Sequence, residues 1–573
     1  MQGVLPRFIL GAQAHSAPGD GPVDEPSIEK RCSIPDRPNI LLLRTGQQRF
    51  DTIAALGFQH MMTPNLDRLV REGTAFTRAY SSNPVCMPAR HDLITGASAR
   101  HHGYYGNSSD TIRDYGLPTV PRLLTESGYQ TIAVGKMHFQ PAREHHGFAH
   151  MYLMEELPAC REDDAYLRYL EDAGYGHIRC QHGVRPLFYH VPQPSRVPAE
   201  HHGSAWVAHK TIDLLRTERD RPFFIFASWV GPHPPYYLPD EYLDAYRDRP
   251  LPAPCPMPEG EERHAPGSPE NLGGSRLRRM REAYFGAVSF IDQEIGRILD
   301  VLESEGLKED TLVLFMTDHG EMLGDRNAYQ KHVPYEGSAH IPLLARGSGF
   351  APGAQCDVPA TTWDVSATIL EAAGIPERDQ PPVVGRSLRD LPALADREAV
   401  FHHTEGRERY VAAVSRRFKF VHWYNGGEEE LYDLQEDPWE QQNLLPDRAD
   451  DEVTGRLRNA CIAFERDHGI VENVRDGAFV DFPYEPPQPD LCSLYPEWSS
   501  FQLPKWMNGY SEEDLAQIAR EMRDCVRPET VHIYSDRHWR RRALQHWKDI
   551  GGDPEVYERL FAQLDKLETQ HRE

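Results

Sequence analysis

The sequence predicts an α/β fold with a large mixed, mostly parallel sheet that is sandwiched by helices. Two observations support this prediction. From residue 38 onward, short and continuously apolar runs, typical of buried strands, alternate with amphipathic helical stretches. After about residue 396 the pattern changes to β-branched and aromatic runs, which predict a small C-terminal antiparallel sheet followed by a helical extension.

Four apolar runs are the clearest strands of the predicted main sheet. They are Asn39 to Leu43, Thr131 to Val134, Phe223 to Ala227 and Leu312 to Met316. Before the last run, apolar residues from Val288 to Leu302 recur on one face of a predicted helix, and Gly306 is suited to end it. A helix followed by a strand in this way is half of a βαβ unit, as a parallel sheet requires.

The C-terminal part of the chain predicts a different arrangement. Residues 410 to 414 and 418 to 424 read as strands, and Asn425-Gly426-Gly427 reads as the turn after them. Farther on, Ser511 and Asp514 form a capping box at the start of one helix. A second helix is predicted to begin at Asp553-Pro554. Because both helices carry long apolar stripes, we expect them to dock on the main domain or on another subunit.

These changes in pattern divide the chain into four predicted regions. Residues 1–36 are expected to form a disordered or loosely attached leader, and residues 37–395 the α/β domain that carries the functional site. Residues 396–475 are expected to form a small α+β subdomain, and residues 476–573 a Pro-rich and helical extension. Within the main domain, the Pro-, Gly- and acid-rich residues 248–275 predict a long surface insertion.

Composition excludes several classes of function. The 573 residues include 87 Asp and Glu against 62 Lys and Arg, so a net charge of −25 disfavours binding to nucleic acid or to an anionic membrane. An anionic substrate would have to be held by a local basic pocket. The nine scattered cysteines lack a CxxC pair, so neither a disulfide framework nor a zinc ribbon is expected. Because no secretory or membrane-spanning segment is evident, the predicted location is the cytoplasm.

Polar side chains follow each of the four predicted strands. Gln47 follows the first, Lys136 and His138 the second, His233 the third, and Asp318 and His319 the fourth. In open α/β sheets, ligands bind beyond the carboxyl ends of the strands. The sequence therefore predicts that these groups, which suit a metal ion or an anion, converge on one edge of the sheet.

The segment Cys86-Met87-Pro88-Ala89-Arg90 is the most informative motif. Pro88 suits the first turn of a helix, which would place Cys86 at the positive helix N-terminus and Arg90 about one turn later. That arrangement favours an anion. Taken alone, Cys86 would more commonly be a small buried apolar residue.

The full string from Cys86 through Thr95-Gly96 resembles the signature of the sulfatase family, in which this cysteine is oxidised to formylglycine. Phosphonate monoester hydrolases are close kin of that family within the alkaline phosphatase superfamily. The resemblance extends over residues 37 to 446 through further motifs in the same order. These are Arg37-Pro38-Asn39-Ile40-Leu41-Leu42, Gly135-Lys136-Met137-His138, Gly231-Pro232-His233-Pro234-Pro235, Thr317-Asp318-His319-Gly320-Glu321, Lys331 before Pro334-Tyr335-Glu336, and Glu430-Leu431-Tyr432-Asp433-Leu434.

The resemblance implies roles for individual residues. Gln47, Asp318, His319 and the formylglycine formed from Cys86 would bind a divalent metal, with Ca²⁺ first and Mn²⁺ or Mg²⁺ as alternatives. Other side chains would act on the substrate. Arg90 and Lys136 would hold the formylglycine and the developing charge, His138 would be the base, and His233 with Lys331 would bind sulfate and protonate the leaving oxygen. Asn107 matches in spacing a substrate-contacting Asn of the phosphonate hydrolases.

One position departs from the family pattern. Gly46 stands where the family places a metal-binding Asp after the first strand, and Arg44 adds positive charge nearby. The loss of a carboxylate should weaken the binding of a hard cation.

Three functions therefore stay open. The first is hydrolysis of a small anionic sulfate ester, after maturation by a formylglycine-generating enzyme. The second is hydrolysis of a phosphonate monoester or phosphodiester at the same site. The third is a silenced relative that only binds an anionic ligand, as the loss at Gly46 would allow. The C-terminal helices make a homo-oligomer a further expectation.

Overall fold

The computed structural model describes most of the chain from residue 37 onward. The described residues are 37–107, 112, 114–185, 188–259, 273–405, 409–448, 451–485, 503–504, 506–507, 509–525, 541, 544–545, 548 and 554–570. The predicted leader, much of the predicted insertion at 248–275 and the Asp553 start of the last predicted helix lie outside them.

The strands are mostly short, and the longest ones form the centre of the main sheet. They are β1 (Asn39–Gly46), β2 (Thr74–Phe76), β3 (Ala79–Tyr80), β4 (Gln130–Gly135), β5 (His150–Leu153), β6 (Gln193–Pro194), β7 (Phe223–Pro232), β8 (Tyr237–Leu238), β9 (Thr311–Thr317), β10 (His340–Ile341), β11 (Leu343–Arg346), β12 (Ala354–Cys356), β13 (Ala360–Thr361), β14 (Val400–Thr404), β15 (Tyr410–Val414), β16 (Phe418–Trp423), β17 (Glu428–Asp433), β18 (Val474–Arg475) and β19 (Ala478–Phe479).

The helices range from single turns to one of 32 residues. They are α1 (Pro64–Glu72), α2 (Cys86–Thr95), α3 (Ala99–His102), α4 (Val120–Glu126), α5 (Ala165–Asp172), α6 (Gly203–Leu215), α7 (Asp240–Leu243), α8 (Gly273–Ser304), α9 (Glu336–Ala339), α10 (Thr362–Ala372), α11 (Leu391–Ala395), α12 (Leu445–Arg448), α13 (Glu452–His468), α14 (Glu512–Asp524) and α15 (Pro554–Gln570).

The main sheet has eight strands in the order β12-β2-β11-β9-β1-β7-β4-β5. The five strands β9, β1, β7, β4 and β5 are parallel to one another, whereas β11 runs antiparallel to both β9 and β2. The four strands expected from the apolar runs are β1, β4, β7 and β9, and they lie side by side at its centre. The predicted fold class is therefore confirmed.

Helices cover both faces of this sheet. Along β1, Ile40 and Leu42 belong to one apolar core, while Leu41 and Leu43 belong to the core on the opposite face. All four side chains are at most 1% exposed. Burial on both faces explains why β1 reads as a continuous apolar run rather than as an alternating one.

Strands β14 to β17 form the small antiparallel sheet that the sequence predicts, in sequential order. Gly426 (φ 92°) and Gly427 (φ 72°) adopt left-handed conformations in the turn between β16 and β17, which explains the two glycines there. The sheet also supports the main domain, because Nζ of Lys419 on β16 lies 2.6 Å from a carboxylate oxygen of Glu336.

The two C-terminal helices, α14 and α15, share an apolar core with Cys180, Val184 and Phe188 of the main domain. The capping box of Ser511 and Asp514 is present at the start of α14. Docking on the main domain thus accounts for the apolar faces, and an additional contact with another subunit stays a prediction. Among the described residues, no helix is both long and apolar enough to cross a membrane.

Candidate active site

The carboxyl ends of β1, β4, β7 and β9 meet at one edge of the main sheet, as their parallel pairing requires. The side chains that follow these strands come together there with the N-terminus of α2 and with the loop that carries Lys331. The site so formed contains nearly all the residues singled out in the sequence. Most of its polar side chains are buried, so their interactions are stronger than they would be in water.

Helix α2 places the cysteine. Val85 before it is extended (φ −140°, ψ 139°), and Gly96 ends it in the left-handed conformation (φ 67°). Every residue from Cys86 to Thr95 is buried. Cys86 therefore stands at the first turn of a helix enclosed in the protein, where free backbone N–H groups and the helix dipole favour negative charge.

Cys86 faces a histidine imidazole. Its Sγ lies 3.1 Å from Nε2 of His319. Nδ1 of His319 lies 2.9 Å from the carbonyl oxygen of Gly320, which can only accept a hydrogen bond. Nδ1 therefore carries the hydrogen, and the lone pair of Nε2 points towards Cys86, as it would towards a metal ion.

The surroundings of Cys86 favour an anion. Burial on its own would raise the pKa of the thiol, but electrostatic interactions with Lys331, His319 and Lys136, the largest of them with Lys331, outweigh it. Together with a hydrogen bond from His138, they lower the pKa of Cys86 well below its usual value. Any negatively charged oxygen at this position would gain the same stabilisation.

Asp318 is the carboxylate at the centre of the site. Oδ2 accepts a hydrogen bond from Nε of Arg90 at 3.0 Å and lies 3.1 Å from Nη2 of Arg44. Oδ1 accepts from the backbone N–H of Gln47 at 2.9 Å. Burial would raise the pKa of Asp318, but His319 and the two arginines lower it, so Asp318 stays ionised.

Lys331 and His233 form a second pair. Nδ1 of His233 lies 2.6 Å from the carbonyl oxygen of Pro234, so Nδ1 carries the hydrogen. Nε2 then accepts a hydrogen bond from Nζ of Lys331 at 3.1 Å. Burial lowers the pKa of His233 to about 4, which keeps the ring neutral. For Lys331, burial alone would lower the pKa, but neighbouring anionic groups, Cys86 first, raise it.

Three other predicted residues also lie at the site. The Gln47 side chain donates to Glu321 and accepts from Lys331 at 2.6 Å, so only its backbone contacts Asp318. Oδ1 of Asn107 accepts from the backbone N–H of Met87 at 3.0 Å, at the N-terminus of α2. His138 adopts a positive φ of 60°, a strained conformation for a non-glycine residue that is common at functional sites.

Glu156 was not predicted from the sequence, yet it joins the cations of the site. It lies 2.5 Å from Nζ of Lys136, contacts Arg185, and lies 3.6 Å from Nδ1 of His233. Burial would raise its pKa, but His233, Lys136 and Arg185 lower it far below its ordinary value. Glu156 follows strand β5, so the rule that located the other residues would have found it had that short strand been recognised.

A metal ion has a candidate position here. Ligand atoms of Cys86, Asp318 and His319 all lie within 4.8 Å of one another, and all three residues are buried. The free lone pair of His319 and the ionised Asp318 are both suited to coordinate an ion. These residues fit a divalent cation, although Asp318 is already paired with two guanidinium groups.

Comparison with protein families agrees with this geometry. A model of the sulfatase family matches residues 38–375. A model described as the C-terminal part of N-sulphoglucosamine sulphohydrolase matches residues 324–467. The first match spans the main sheet and the site residues, and the second extends over the small antiparallel sheet.

Individual relatives give the same result. An arylsulfatase of Clostridium perfringens is 31% identical over 457 residues, which cover 74% of this chain and 94% of that protein. A choline-sulfatase of Rhizobium meliloti is 29% identical over 440 residues, covering 71% of this chain and 82% of that protein.

Among solved structures, the phosphonate monoester hydrolase of Agrobacterium radiobacter superposes with a TM-score of 0.63 at 24% identity. The match covers 78% of this chain and all of that one, and it shows a shared fold. The family match, the arylsulfatase relative and the convergence of Cys86, Arg90, Asp318 and His319 at one site lead to the same conclusion. The chain belongs to the sulfatase family and is a sulfuric ester hydrolase.

Proposed function

We propose that Cys86 is converted to formylglycine and that this residue hydrolyses the sulfate ester of a small molecule. The observation that carries the proposal is the position of Cys86, which starts a buried helix and faces His319 at 3.1 Å. Lys331 and Lys136 favour negative charge there. A hydrated aldehyde at this position offers two hydroxyl groups on one carbon, which a serine or cysteine cannot.

In the first step, one hydroxyl oxygen of the hydrated aldehyde, after losing its proton to solvent, attacks the sulfur while the bond from sulfur to the ester oxygen breaks. The departing oxygen takes a proton from Nζ of Lys331. We assign this proton to Lys331 rather than to His233, because the N–H of His233 donates to the Pro234 carbonyl. Its role is to orient Lys331, whose Nζ it contacts at 3.1 Å. Arg90 stabilises the charge that develops on the sulfate.

In the second step, His138 removes the proton of the remaining hydroxyl group. The aldehyde C=O bond forms as the bond from carbon to the sulfate oxygen breaks, and sulfate leaves. Water then adds to the aldehyde and restores the starting state. His138 is hydrogen-bonded to the Cys86 side chain, which puts its imidazole within reach of this proton.

Membership of the family implies a divalent ion in general, and Asp318, His319 and the formylglycine oxygen would hold it. Such an ion lowers the pKa of the attacking hydroxyl group and offsets the charge of the sulfate. Oxygen donors favour Ca²⁺, while the imidazole of His319 also suits Mn²⁺. We propose Ca²⁺ first, with Mn²⁺ and Mg²⁺ as alternatives.

A phosphonate monoester is the second candidate substrate. Like a sulfate monoester, it carries one negative charge on a tetrahedral centre, so the same cations would hold it. This alternative is supported by Asn107, whose Oδ1 accepts the backbone N–H of Met87, the residue after Cys86. The choice between the two esters is therefore a matter of measurement.

The test combines peptide mass with kinetics. The protein is produced together with a formylglycine-generating enzyme, and the Cys86 peptide is analysed by mass spectrometry. We expect the aldehyde, and faster hydrolysis of an aryl sulfate than of an aryl phosphonate. Cys86→Ser should be sulfated at most once and then stall, whereas Cys160→Ser, which changes a cysteine outside the site, should remain active. An unmodified thiol in a fully active enzyme would contradict the proposal.

A further inference from the structure

Arg44 brings a guanidinium group into the site from the central strand. It lies on β1 between Ser228 of β7 and Met316 of β9, and it is completely buried. Its Nη2 lies 3.1 Å from Oδ2 of Asp318, the same oxygen that Arg90 contacts at 3.0 Å. One carboxylate therefore faces two fixed positive charges.

The remaining hydrogen-bonding capacity of Arg44 is unused. Within the described part of the chain, Nε and Nη1 have no hydrogen-bond acceptor of suitable geometry although both are buried, and Nη2 has only its ion pair with Asp318. Buried donors without acceptors are rare because desolvation is costly. The carboxylate that Arg44 contacts has an oxygen within 4.8 Å of Sγ of Cys86. An oxyanion bound at the nucleophile would therefore lie close to these N–H groups.

Gly46 explains why no carboxylate accompanies Arg44 at this end of β1. It follows Arg44 by two residues, where the pairing of β1 with β7 becomes irregular. A Cβ atom at position 46 would lie 2.5 Å from the backbone oxygen of Val230 and 3.3 Å from that of Trp229. The strand neighbours thus leave no room at position 46 for the Asp that the sulfatase pattern implies, and the cation that β1 brings to Asp318 is Arg44.

We propose that the guanidinium of Arg44 supplies a positive charge to this site. This charge competes with the divalent ion for Asp318, and it lets the site bind sulfate without metal. A divalent ion at Asp318 would meet two guanidinium groups at close range, and repulsion between like charges weakens its binding. The ligand class rests on the proposed function, since sulfate is the product of that reaction. The competition itself rests only on the contacts of Arg44.

Metal affinity tests the competition. Isothermal titration calorimetry with Ca²⁺ and with Mn²⁺ compares wild type, Arg44→Leu and Arg44→Lys in protein that retains an unmodified Cys86. We expect Arg44→Leu to bind Ca²⁺ at least tenfold more tightly than wild type, while Arg44→Lys stays close to wild type because it keeps the charge. Arg346→Leu removes another buried arginine of the same sheet and should leave the affinity for Ca²⁺ unchanged. Equal affinity, or equal absence of binding, in wild type and Arg44→Leu would overturn the competition.

Sulfate binding tests the second half of the proposal. With EDTA present, we expect wild type to bind inorganic sulfate with a Kd within about twofold of its value in Ca²⁺. Arg44→Leu should lose at least tenfold in EDTA and regain affinity when Ca²⁺ is added, whereas Arg44→Lys should lose less. Loss of wild-type sulfate binding in EDTA would overturn the proposal. Melting curves show whether each variant folds. If Arg44→Leu does not fold, the sulfate affinities of Arg44→Lys and wild type test the proposal.

Failure of the proposed function would look different. If binding follows the expectations above but the matured protein does not hydrolyse aryl sulfates, the catalytic proposal is wrong and the role of Arg44 stands. If the enzyme turns over normally and Arg44→Leu changes neither metal nor sulfate affinity, only the role of Arg44 is wrong.

Discussion

Nζ of Lys331 lies 3.1 Å from Nε2 of His233, and this contact determines which of the two residues can deliver a proton. His233 directs its only N–H to the carbonyl oxygen of Pro234 at 2.6 Å, so its free nitrogen is an acceptor. Lys331 carries the transferable hydrogens. The sequence predicts a joint role for the two residues, and the proposed mechanism assigns the donor role to Lys331 and the positioning role to His233.

This separation predicts a difference between leaving groups. Lys331→Met should lower kcat by about 10² to 10⁴ for a phenyl or alkyl sulfate, as loss of a general acid commonly does, and much less for 4-nitrophenyl sulfate, whose leaving group needs no proton. His233→Gln should show a smaller loss, because Lys331 remains. Lys210→Met, which changes a half-buried lysine of α6 that is paired with Asp213, serves as the control. An equal loss with both leaving groups would contradict the assignment of Lys331 as the donor.

The pH profile gives a second check on the same pair. Burial lowers the pKa of His233 to about 4, so the ring is neutral throughout the range from pH 5 to 9. We therefore expect His233→Gln to leave the shape of the kcat profile unchanged in that range. Loss of an ionisation near neutral pH in this variant would show that His233 itself transfers the proton.

Much of the fold could be predicted because its central strands are buried on both faces. Such strands appear as uninterrupted apolar runs, as in β1, β4, β7 and β9. The outer strands β2, β11 and β12 have three or four residues each, too few for a pattern to be distinguished from chance. Their pairing depends on contacts far apart in sequence, such as Leu344 with Ala75.

The candidate site shows the same limit. Residues that follow long strands, such as Asp318 and His319, could be found by their position. Arg185 lies in a segment without periodicity, and its contact with Glu156 exists only in the folded protein. The pairing of Arg44 with Asp318 joins β1 to the end of β9, so the sequence could indicate extra positive charge but not its partner.

Gly46→Asp is the substitution where sequence and structure lead to different expectations. The sequence alone predicts tighter metal binding, by about 1 to 3 kcal/mol, because a charged ligand is restored. The structure shows that the new Cβ would lie 2.5 Å from the backbone oxygen of Val230. Overpacking of this kind commonly costs about 1 to 3 kcal/mol. We therefore expect a lower melting temperature, and a gain in Ca²⁺ affinity mainly in the double variant Gly46→Asp/Arg44→Leu.

Gly46→Ala is the control for this experiment, since it adds the Cβ without the carboxylate. Both single variants should lose a similar amount of stability in thermal melts. Gly46→Asp with full stability and strong Ca²⁺ binding would show that β1 and β7 separate easily, and that Arg44 does not impede the metal.

Glu521 on α14 connects the C-terminal extension to the site. Its completely buried carboxylate accepts the backbone N–H groups of Arg179 at 2.8 Å and Cys180 at 2.9 Å. These residues begin the segment that carries Arg185, which contacts Glu156. We expect Glu521→Ala to raise the KM for the sulfate ester about tenfold, roughly 1.4 kcal/mol, with a smaller effect on kcat.

Glu513→Ala changes an exposed carboxylate on the same helix and should leave both constants unchanged. Deletion of residues 511–573 should raise KM at least as much as Glu521→Ala. It should also expose the apolar residues Val184 and Phe188, which dye binding and light scattering would detect. A truncated protein with unaltered KM, solubility and melting temperature would refute the connection.

Asp292 of α8 predicts a pH dependence of stability that is separate from catalysis. Its carboxylate accepts hydrogen bonds from the backbone N–H of Leu66 at 2.7 Å and from the backbone N–H and the side-chain amide of Asn65. It thereby caps the N-terminus of α1. Burial raises its pKa from 3.8 to about 7 despite these hydrogen bonds. The folded protein therefore binds this proton more tightly than the unfolded chain does.

The sign of the effect follows from that difference. Below pH 3.8 both states are protonated and the contribution of Asp292 is fully present, and it is lost as the pH rises through about 7. Asp292→Asn keeps an acceptor for Leu66 but does not titrate. The stability of wild type relative to Asp292→Asn should thus decline between pH 4 and pH 8, by at most about 4 kcal/mol. Denaturant titrations at several pH values measure this difference. A constant difference for Asp292→Asn would mean that Asp292 is ionised in the folded protein throughout.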